Sequence, residues 1–161
     1  MNNLSVLNVF KLSLFLILFG ALSACAVKDE LIGARWVVVG KIEVPPNSFG
    51  VYFQNGKPMA QNQVDRFQPW CEVSFADKSS SFRALEGGNY EISKLTYDYE
   101  NQDNVQVSYT TYMRLTSAMP VQIIRITCGH WDDRTGNYLS NDQMQQALQG
   151  VMKLELGEKQ I

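Results

Sequence analysis

Residues 105–115 constrain the fold of this chain more than any other segment, because apolar and polar side chains alternate along the whole of it. A period of two residues places successive side chains on opposite faces of a β-strand. One face carries Val105, Val107, Tyr109, Thr111, Met113 and Leu115, and the other carries Gln106, Ser108, Thr110, Tyr112 and Arg114. The pattern predicts an antiparallel strand that packs one face on a core and exposes the other to water.

Shorter segments with strand character flank this one on both sides. Pro45 and Pro46 end the first of them, because proline donates no hydrogen bond to a sheet. Asn55 and Gly56 predict a tight hairpin turn, since both residues tolerate positive φ. Further strands are therefore predicted at 36–44, 50–54, 57–60, 70–75, 82–85, 90–99 and 121–128.

The last predicted element changes to helical spacing. Apolar residues recur every three or four positions, at Met144, Ala147, Leu148, Val151 and Met152. Ser140 and Gln143 form a capping box, which predicts a helix over 141–152. The predicted fold class is mainly β: an antiparallel curled sheet, small sandwich or barrel of six to eight strands with one C-terminal amphipathic helix.

The first residues carry the features of an export signal. An apolar run at 12–22 follows Lys11 and ends in the small residues Ser23 and Ala24. A membrane-spanning helix needs about 20 apolar residues, and charges return here at 28–30. Cleavage is therefore favoured, with a retained transmembrane anchor and a plain secreted protein as the alternatives.

Leu22-Ser23-Ala24-Cys25 resembles the lipobox of bacterial lipoproteins. The resemblance implies a signal peptide over 1–24 and lipidation of Cys25, followed by a short tether over 25–35 and a single β-rich domain over 36–161. Several acyl chains on one residue hold a protein firmly to a bilayer. Because Ala26 stands where inner-membrane lipoproteins tend to carry aspartate, the resemblance also implies the outer membrane, with the domain in the periplasm.

Cys71 and Cys128 remain once Cys25 is assigned to the lipid. Two cysteines in an exported chain are most simply a disulfide. Two buried free thiols or a thiol-based activity are the alternatives, although neither cysteine lies in a CxxC motif. We therefore predict a structural disulfide that closes a large loop.

Composition and motifs argue against several classes of function. The chain has 14 basic and 16 acidic side chains and no basic patch, which argues against nucleic acid as a partner. His130 is the only histidine, no four-ligand zinc spacing surrounds it, and residues 132–137 lack the oxygen ligands of a calcium loop. No serine lies in a nucleophile elbow. We predict no metal, no cofactor and no enzyme activity, and keep a hydrolase that uses His130 as an alternative.

Tyr112 is the residue on the polar face of 105–115 that is best suited to bind a partner. It lies between Thr110 and Arg114, and tyrosine and arginine are enriched where partners bind most strongly. We predict this face as the binding site. The domain would then be the non-enzymatic binding or structural part of a lipoprotein, with another envelope component, protein or glycan, as its partner.

The mature part also resembles small proteobacterial envelope lipoproteins in the stretches 51–56, 65–71 and 110–113. That resemblance implies an envelope location and no particular activity. Membrane-bound lysozyme inhibitors are similar in size, lipid and cysteine pair, but their glycine- and tyrosine-rich inhibitory segments are not evident here. A cell-wall glycan-binding or lysozyme-inhibitor-like module is therefore the alternative function.

Overall fold

The computed structural model describes residues 30–103, 105–118 and 123–157. Within them the chain forms ten β-strands, one α-helix and a short 3-10 turn at Gln61–Gln63. The elements are β1 (Arg35–Val38), β2 (Lys41–Val44), β3 (Gly50–Gln54), β4 (Lys57–Met59), β5 (Trp70–Phe75), β6 (Arg83–Glu86), β7 (Asn89–Asn101), β8 (Gln106–Thr116), β9 (Ile123–Asp133), α1 (Asn141–Ala147) and β10 (Met152–Glu155). No helix among these residues is long and apolar enough to cross a membrane.

Eight of the strands form one antiparallel sheet that curls into a half-barrel, in the order β10-β1-β7-β8-β9-β5-β3-β4. β2 and β6 pair with each other in a separate two-stranded sheet, which the sequence did not predict. The architecture confirms the predicted class, a mainly-β fold with a curled antiparallel sheet and one C-terminal helix.

The core lies against one face of the large sheet, which we call the inner face, and residues of α1 and of the small sheet contribute to it. Met113 is fully buried there, opposite Leu95 on β7 and Ile126 on β9. Met144 of α1 and Leu148 at its C-cap belong to the same buried cluster. Burial along β8 alternates as predicted except at Thr110, which is buried although it lies on the opposite, outer face. Tyr112 also lies on this outer face.

The predicted strand over 36–44 is wrong as a single strand, because the chain leaves the large sheet at Val39 and Gly40. The backbone N–H groups of both residues donate to the carbonyl oxygen of Val151. A Cβ atom on Gly40 would lie 2.2 Å from the carbonyl oxygen of Gly150, so only glycine allows this approach. β1 and β2 therefore belong to different sheets.

The helix α1 begins after Ser140 as predicted, with both hydrogen bonds of the capping box present. Its predicted end at residue 152 is wrong, because Leu148 caps the helix and Gly150 has a φ of +72°. Met152 then starts β10 and is fully buried. The apolar residues after α1 keep helical spacing because the turn and β10 cover the same core.

A disulfide joins Cys71 on β5 to Cys128 on β9, which confirms the predicted bridge. The two residues lie directly opposite each other, and both are fully buried on the inner face. The bridge therefore ties together two neighbouring strands whose cysteines are 57 residues apart along the chain.

The predicted signal peptide over 1–24 and the predicted lipidation at Cys25 lie outside the described residues. Leu31 and Ala34, within the predicted tether, are buried in the core cluster. The backbone N–H of Gly33 donates to the carbonyl oxygen of Ile92 on β7. The packed unit thus begins at Leu31, a few residues before β1.

Candidate functional site

The outer face of the half-barrel carries the predicted binding residues. Tyr112 lies on β8 between Thr96 of β7 and Thr127 of β9, and its side chain is partly exposed. Arg114 is exposed on the same face, while Thr110 is only 9% exposed. All three predicted residues share one face, and two of them reach its surface.

The indole of Trp70 accounts for the burial of Thr110. Gly129 lies opposite both residues, on β9 between β8 and β5. A Cβ atom on Gly129 would lie 3.1 Å from the indole and 3.3 Å from the Thr110 hydroxyl oxygen. Glycine at this position therefore lets the indole lie beside Thr110. Thr110 packs within the outer face and offers little exposed area to a partner.

Arg125 is a residue of this face that the sequence analysis missed. It lies on β9 directly opposite Arg114, and Lys94 of β7 lies opposite Arg114 on the other side. The guanidinium carbon of Arg125 is 6.0 Å from the centre of the Tyr112 ring. All three cations are exposed, and none has a carboxylate within 4.0 Å in the described part of the chain. We call Tyr112, Arg114 and Arg125 the arginine–tyrosine patch.

A second group of side chains extends the outer face toward β3. The guanidinium carbon of Arg66 lies 5.0 Å from the ring centre of Trp70 and 5.9 Å from that of Tyr52. Burial raises the pKa of Tyr52, the carboxylate of Glu72 acts in the same direction, and Arg66 opposes both. Arg66 comes from an irregular segment without strand periodicity, so no sequence pattern placed it on this face.

A separate surface lies on the inner face, toward the ends of β7, β8 and β9 where its residues become exposed. Tyr138 packs edge-on against Tyr97 and Tyr109, with ring centres 5.0 and 5.6 Å apart. Burial raises the pKa of Tyr138, and the carboxylate of Asp98 acts in the same direction. We give the name tyrosine cleft to Tyr97 together with the adjoining cavity of about 430 Å³, which is lined by Tyr99, Asn101, Val107, Tyr109, Arg134 and Tyr138.

His130 lies beside the tyrosine cleft and not on the outer face. Its ring stacks on Tyr109 with centres 5.9 Å apart, and its Nε2 atom lies 3.6 Å from a carboxylate oxygen of Asp132. Its Nδ1 atom is buried and has no hydrogen-bond partner among the described residues. The hydrolase that the sequence left as an alternative would use this histidine, and it stays a prediction.

The carboxylate of Asp133, close to His130 along β9, stabilises the loop after this strand through hydrogen bonds. Asp133 accepts hydrogen bonds from the hydroxyl and the backbone N–H of Thr135, and these bonds lower the pKa of its carboxyl. Over the ranges that the structure describes, no three or more histidine, cysteine, aspartate or glutamate side chains lie close enough to hold a metal ion. Asp133 therefore stabilises a turn.

Comparisons with protein-family models, with curated proteins and with solved structures find no match to this chain. The chemistry of the two surfaces is therefore the basis for assigning a function. The arginine–tyrosine patch contains two of the three residues predicted as the binding face, Tyr112 and Arg114, and the tyrosine cleft contains none of these three.

Proposed function

We propose that this protein is a non-enzymatic lipoprotein of the outer membrane, lipidated on Cys25, whose domain binds an anionic envelope component through the arginine–tyrosine patch. The supporting observation is that Arg114 lies directly opposite Arg125, with no carboxylate within 4.0 Å of either guanidinium in the described structure. Like charges directly opposite each other destabilise a sheet. An anion bound between the two guanidinium groups would replace this repulsion with attraction.

The patch suits a ligand that carries a carboxylate or a phosphate group. A guanidinium presents paired N–H donors that match the geometry of these groups, so two neighbouring arginines can hold one anion from two sides. The ring of Tyr112 adds a flat apolar surface beside the anion and a hydroxyl at its rim. Arg66, with Tyr52 and Trp70, extends the same face for a larger ligand.

The first test places a photo-reactive amino acid at Tyr112 of the full-length lipoprotein in cells, with Tyr99 as the matched control position. Tyr99 is also a strand tyrosine and is 65% exposed, but it lies on the inner face. We expect Tyr112 to capture an envelope component other than this chain, and Tyr99 to capture no such component. Capture of such a component at Tyr99 alone would place the binding site in the tyrosine cleft, and its capture at neither position would refute both surfaces.

Substitution of Arg125 separates binding from folding. Arg125→Gln removes the repulsion from Arg114, so the crosslink at Tyr112 should be lost while the free energy of unfolding at low salt rises by about 0.5 kcal/mol. Arg125→Lys keeps the charge without the paired donors and should give a weaker crosslink. A normal crosslink in Arg125→Gln would contradict the proposal, and a fall in its stability would mean that Arg125 has a structural role.

The tyrosine cleft favours a second candidate function, a cell-wall glycan-binding module. Sugar rings present C–H faces that pack on aromatic rings, and hydroxyl groups that bond to arginine and amide side chains. Tyr99, Arg134 and Asn101 supply both kinds of group around one cavity. Cosedimentation with purified peptidoglycan tests this function: Tyr99→Ala should release the protein from the pellet, whereas Arg125→Gln should leave it bound.

A further inference from the structure

Strand β7 has a long edge that no other strand covers in the described part of the chain. β1 pairs with β7 only from Asn89 to Glu91, and the backbone just before β1 bonds to Ile92. Residues 93–101 continue β7 with no strand on that side among those the structure describes. An edge of this kind is a template for pairing with another chain. The two outermost strands are less suited, because β10 has four residues and β4 has three, including Pro58.

We propose that β7 of a second copy of this chain pairs antiparallel with residues 93–101, with a two-fold axis at Tyr97. Tyr97 is the central residue of the stretch, so this register pairs the whole of it. The pairing occupies the same edge in both copies, and the assembly therefore closes as a dimer. The two eight-stranded sheets would become continuous, with both outer faces pointing the same way.

The side chains of the stretch complement each other in this register. Lys94 of one copy faces Glu100 of the other, and Leu95 faces Tyr99. Opposite charges, and aromatic side chains opposite bulky apolar ones, stabilise antiparallel pairs. Within its own sheet Lys94 lies beside the like-charged Arg114. Glu100 of the second copy would supply the carboxylate that Lys94 lacks among its described neighbours.

The neighbouring registers do not fit. An axis at Thr96 would bring the second copy's Glu100 opposite Ile92, whose N–H and carbonyl groups already bond to Ala34 and Gly33. An axis at Asp98 would set the two Asp98 carboxylates directly opposite each other, which is destabilising. An axis between two residues would set inner-face side chains opposite outer-face ones. The axis at Tyr97 avoids all three conflicts, and the resulting dimer is independent of the proposed anion binding.

Cysteine crosslinking of the full-length protein tests the register. Tyr97→Cys places two cysteines directly opposite each other across the axis, where Cα atoms are about 4.5–5.5 Å apart and a disulfide can form. Tyr99→Cys is the matched control, because its two copies would lie about 14 Å apart along the strands, too far to bridge. We expect a disulfide-linked dimer of Tyr97→Cys only. Equal yields, or no dimer from either variant, would overturn the proposal.

Charge reversal tests the pairing of Lys94 with Glu100 in the absence of any new cysteine. Lys94→Glu sets acidic side chains opposite each other twice per dimer, so its Kd in analytical ultracentrifugation should rise about tenfold. Lys94→Glu combined with Glu100→Lys should restore the original Kd. The control is the same exchange on β10, Lys153→Glu with Glu155→Lys. It keeps the ion pair between residues 153 and 155, lies away from the proposed interface and should leave the Kd unchanged.

Two outcomes of the charge reversal would overturn the proposed register. One is a dimer that Lys94→Glu does not weaken, and the other is a double variant that fails to recover. Lys94→Glu also removes a repulsion from Arg114, so the variant should fold, and circular dichroism checks that it does. A protein that stays monomeric at all concentrations would refute the dimer itself.

Discussion

Reduction of the disulfide between Cys71 and Cys128 should remove a large part of the stability of this domain. The two cysteines are 57 residues apart along the chain. Closing a loop of that length lowers the entropy of the unfolded chain by about 14 cal/mol/K, which corresponds to about 4 kcal/mol at room temperature. Proteins of ordinary stability have about 5–15 kcal/mol in total, so the bridge accounts for a substantial fraction.

Urea unfolding of the oxidised and the reduced protein measures this contribution. Both cysteines are fully buried, and Cys71 Sγ lies 3.9 Å from the carbonyl oxygen of Met144 on α1. The reductant therefore has to be added to the unfolded chain before refolding. With an m value of about 1.5 kcal/mol/M, a loss of about 4 kcal/mol lowers the urea midpoint by about 2.7 M. The reduced protein should also have a larger m value, because its unfolded state is more expanded.

A variant that combines Cys71→Ala with Cys128→Ala is the control, because it lacks the bridge and also lacks the two free thiols of the reduced protein. It should unfold near the midpoint of the reduced protein, and any further drop reports the packing lost with the two sulfur atoms. Oxidised and reduced midpoints that differ by less than about 0.7 M would correspond to about 1 kcal/mol and would refute the loop-entropy reasoning.

Three further changes test local features of the fold. Ser140→Ala removes the helix cap and should lower the free energy of unfolding by about 1 kcal/mol in urea, whereas Ser140→Asp should retain most of it. Gly56→Ala should lower the melting temperature more than Gly87→Ala. Both glycines have a φ of +73°, but only a Cβ atom at Gly56 would meet a carbonyl oxygen, at 2.2 Å. Equal melting temperatures of the two variants would contradict this reasoning. Hydrogen bonds from the backbone N–H groups of Gln106 and Val105 lower the pKa of the Asp103 carboxyl in the folded protein. The contribution of Asp103 to stability is therefore complete above the ordinary pKa of 3.8, and it is lost as the pH falls through the lower pKa of the folded state. Asp103→Asn should abolish that part of the acid dependence when the free energy of unfolding is measured against pH.

The features that could be predicted from the sequence depend on residues a few positions apart. The alternation along β8 predicted its two faces, because successive side chains in a strand always point to opposite sides. The capping box predicted the first turn of α1, since the side chains of Ser140 and Gln143 each accept a hydrogen bond from the other residue's backbone N–H. Tyr112 and Arg114 were predicted together for the same reason, as residues of one strand face.

The features that could not be predicted depend on residues far apart along the chain. Gly40 separates β1 from β2 because the backbone of Gly150 approaches it closely. Arg125 joins the patch through the register of β9 against β8, and no pattern within either strand sets that register. Arg66 lies in an irregular segment. Because that segment has neither strand nor helical periodicity, the sequence does not predict that the Arg66 side chain lies on the outer face.

The position of β1 in the sheet has a consequence for the order of folding. β1 lies between β7 and β10, and both of these strands follow it along the chain. The meander of β7, β8 and β9 joins strands that are neighbours in sequence, so it can form early, whereas contacts between distant segments form slowly. β1 can pair with β7 at that stage, but its other edge, at Trp36 and Val38, stays unpaired on the growing chain until the residues of β10 have been made. An unpaired strand edge of this kind is a site at which a nascent chain can aggregate.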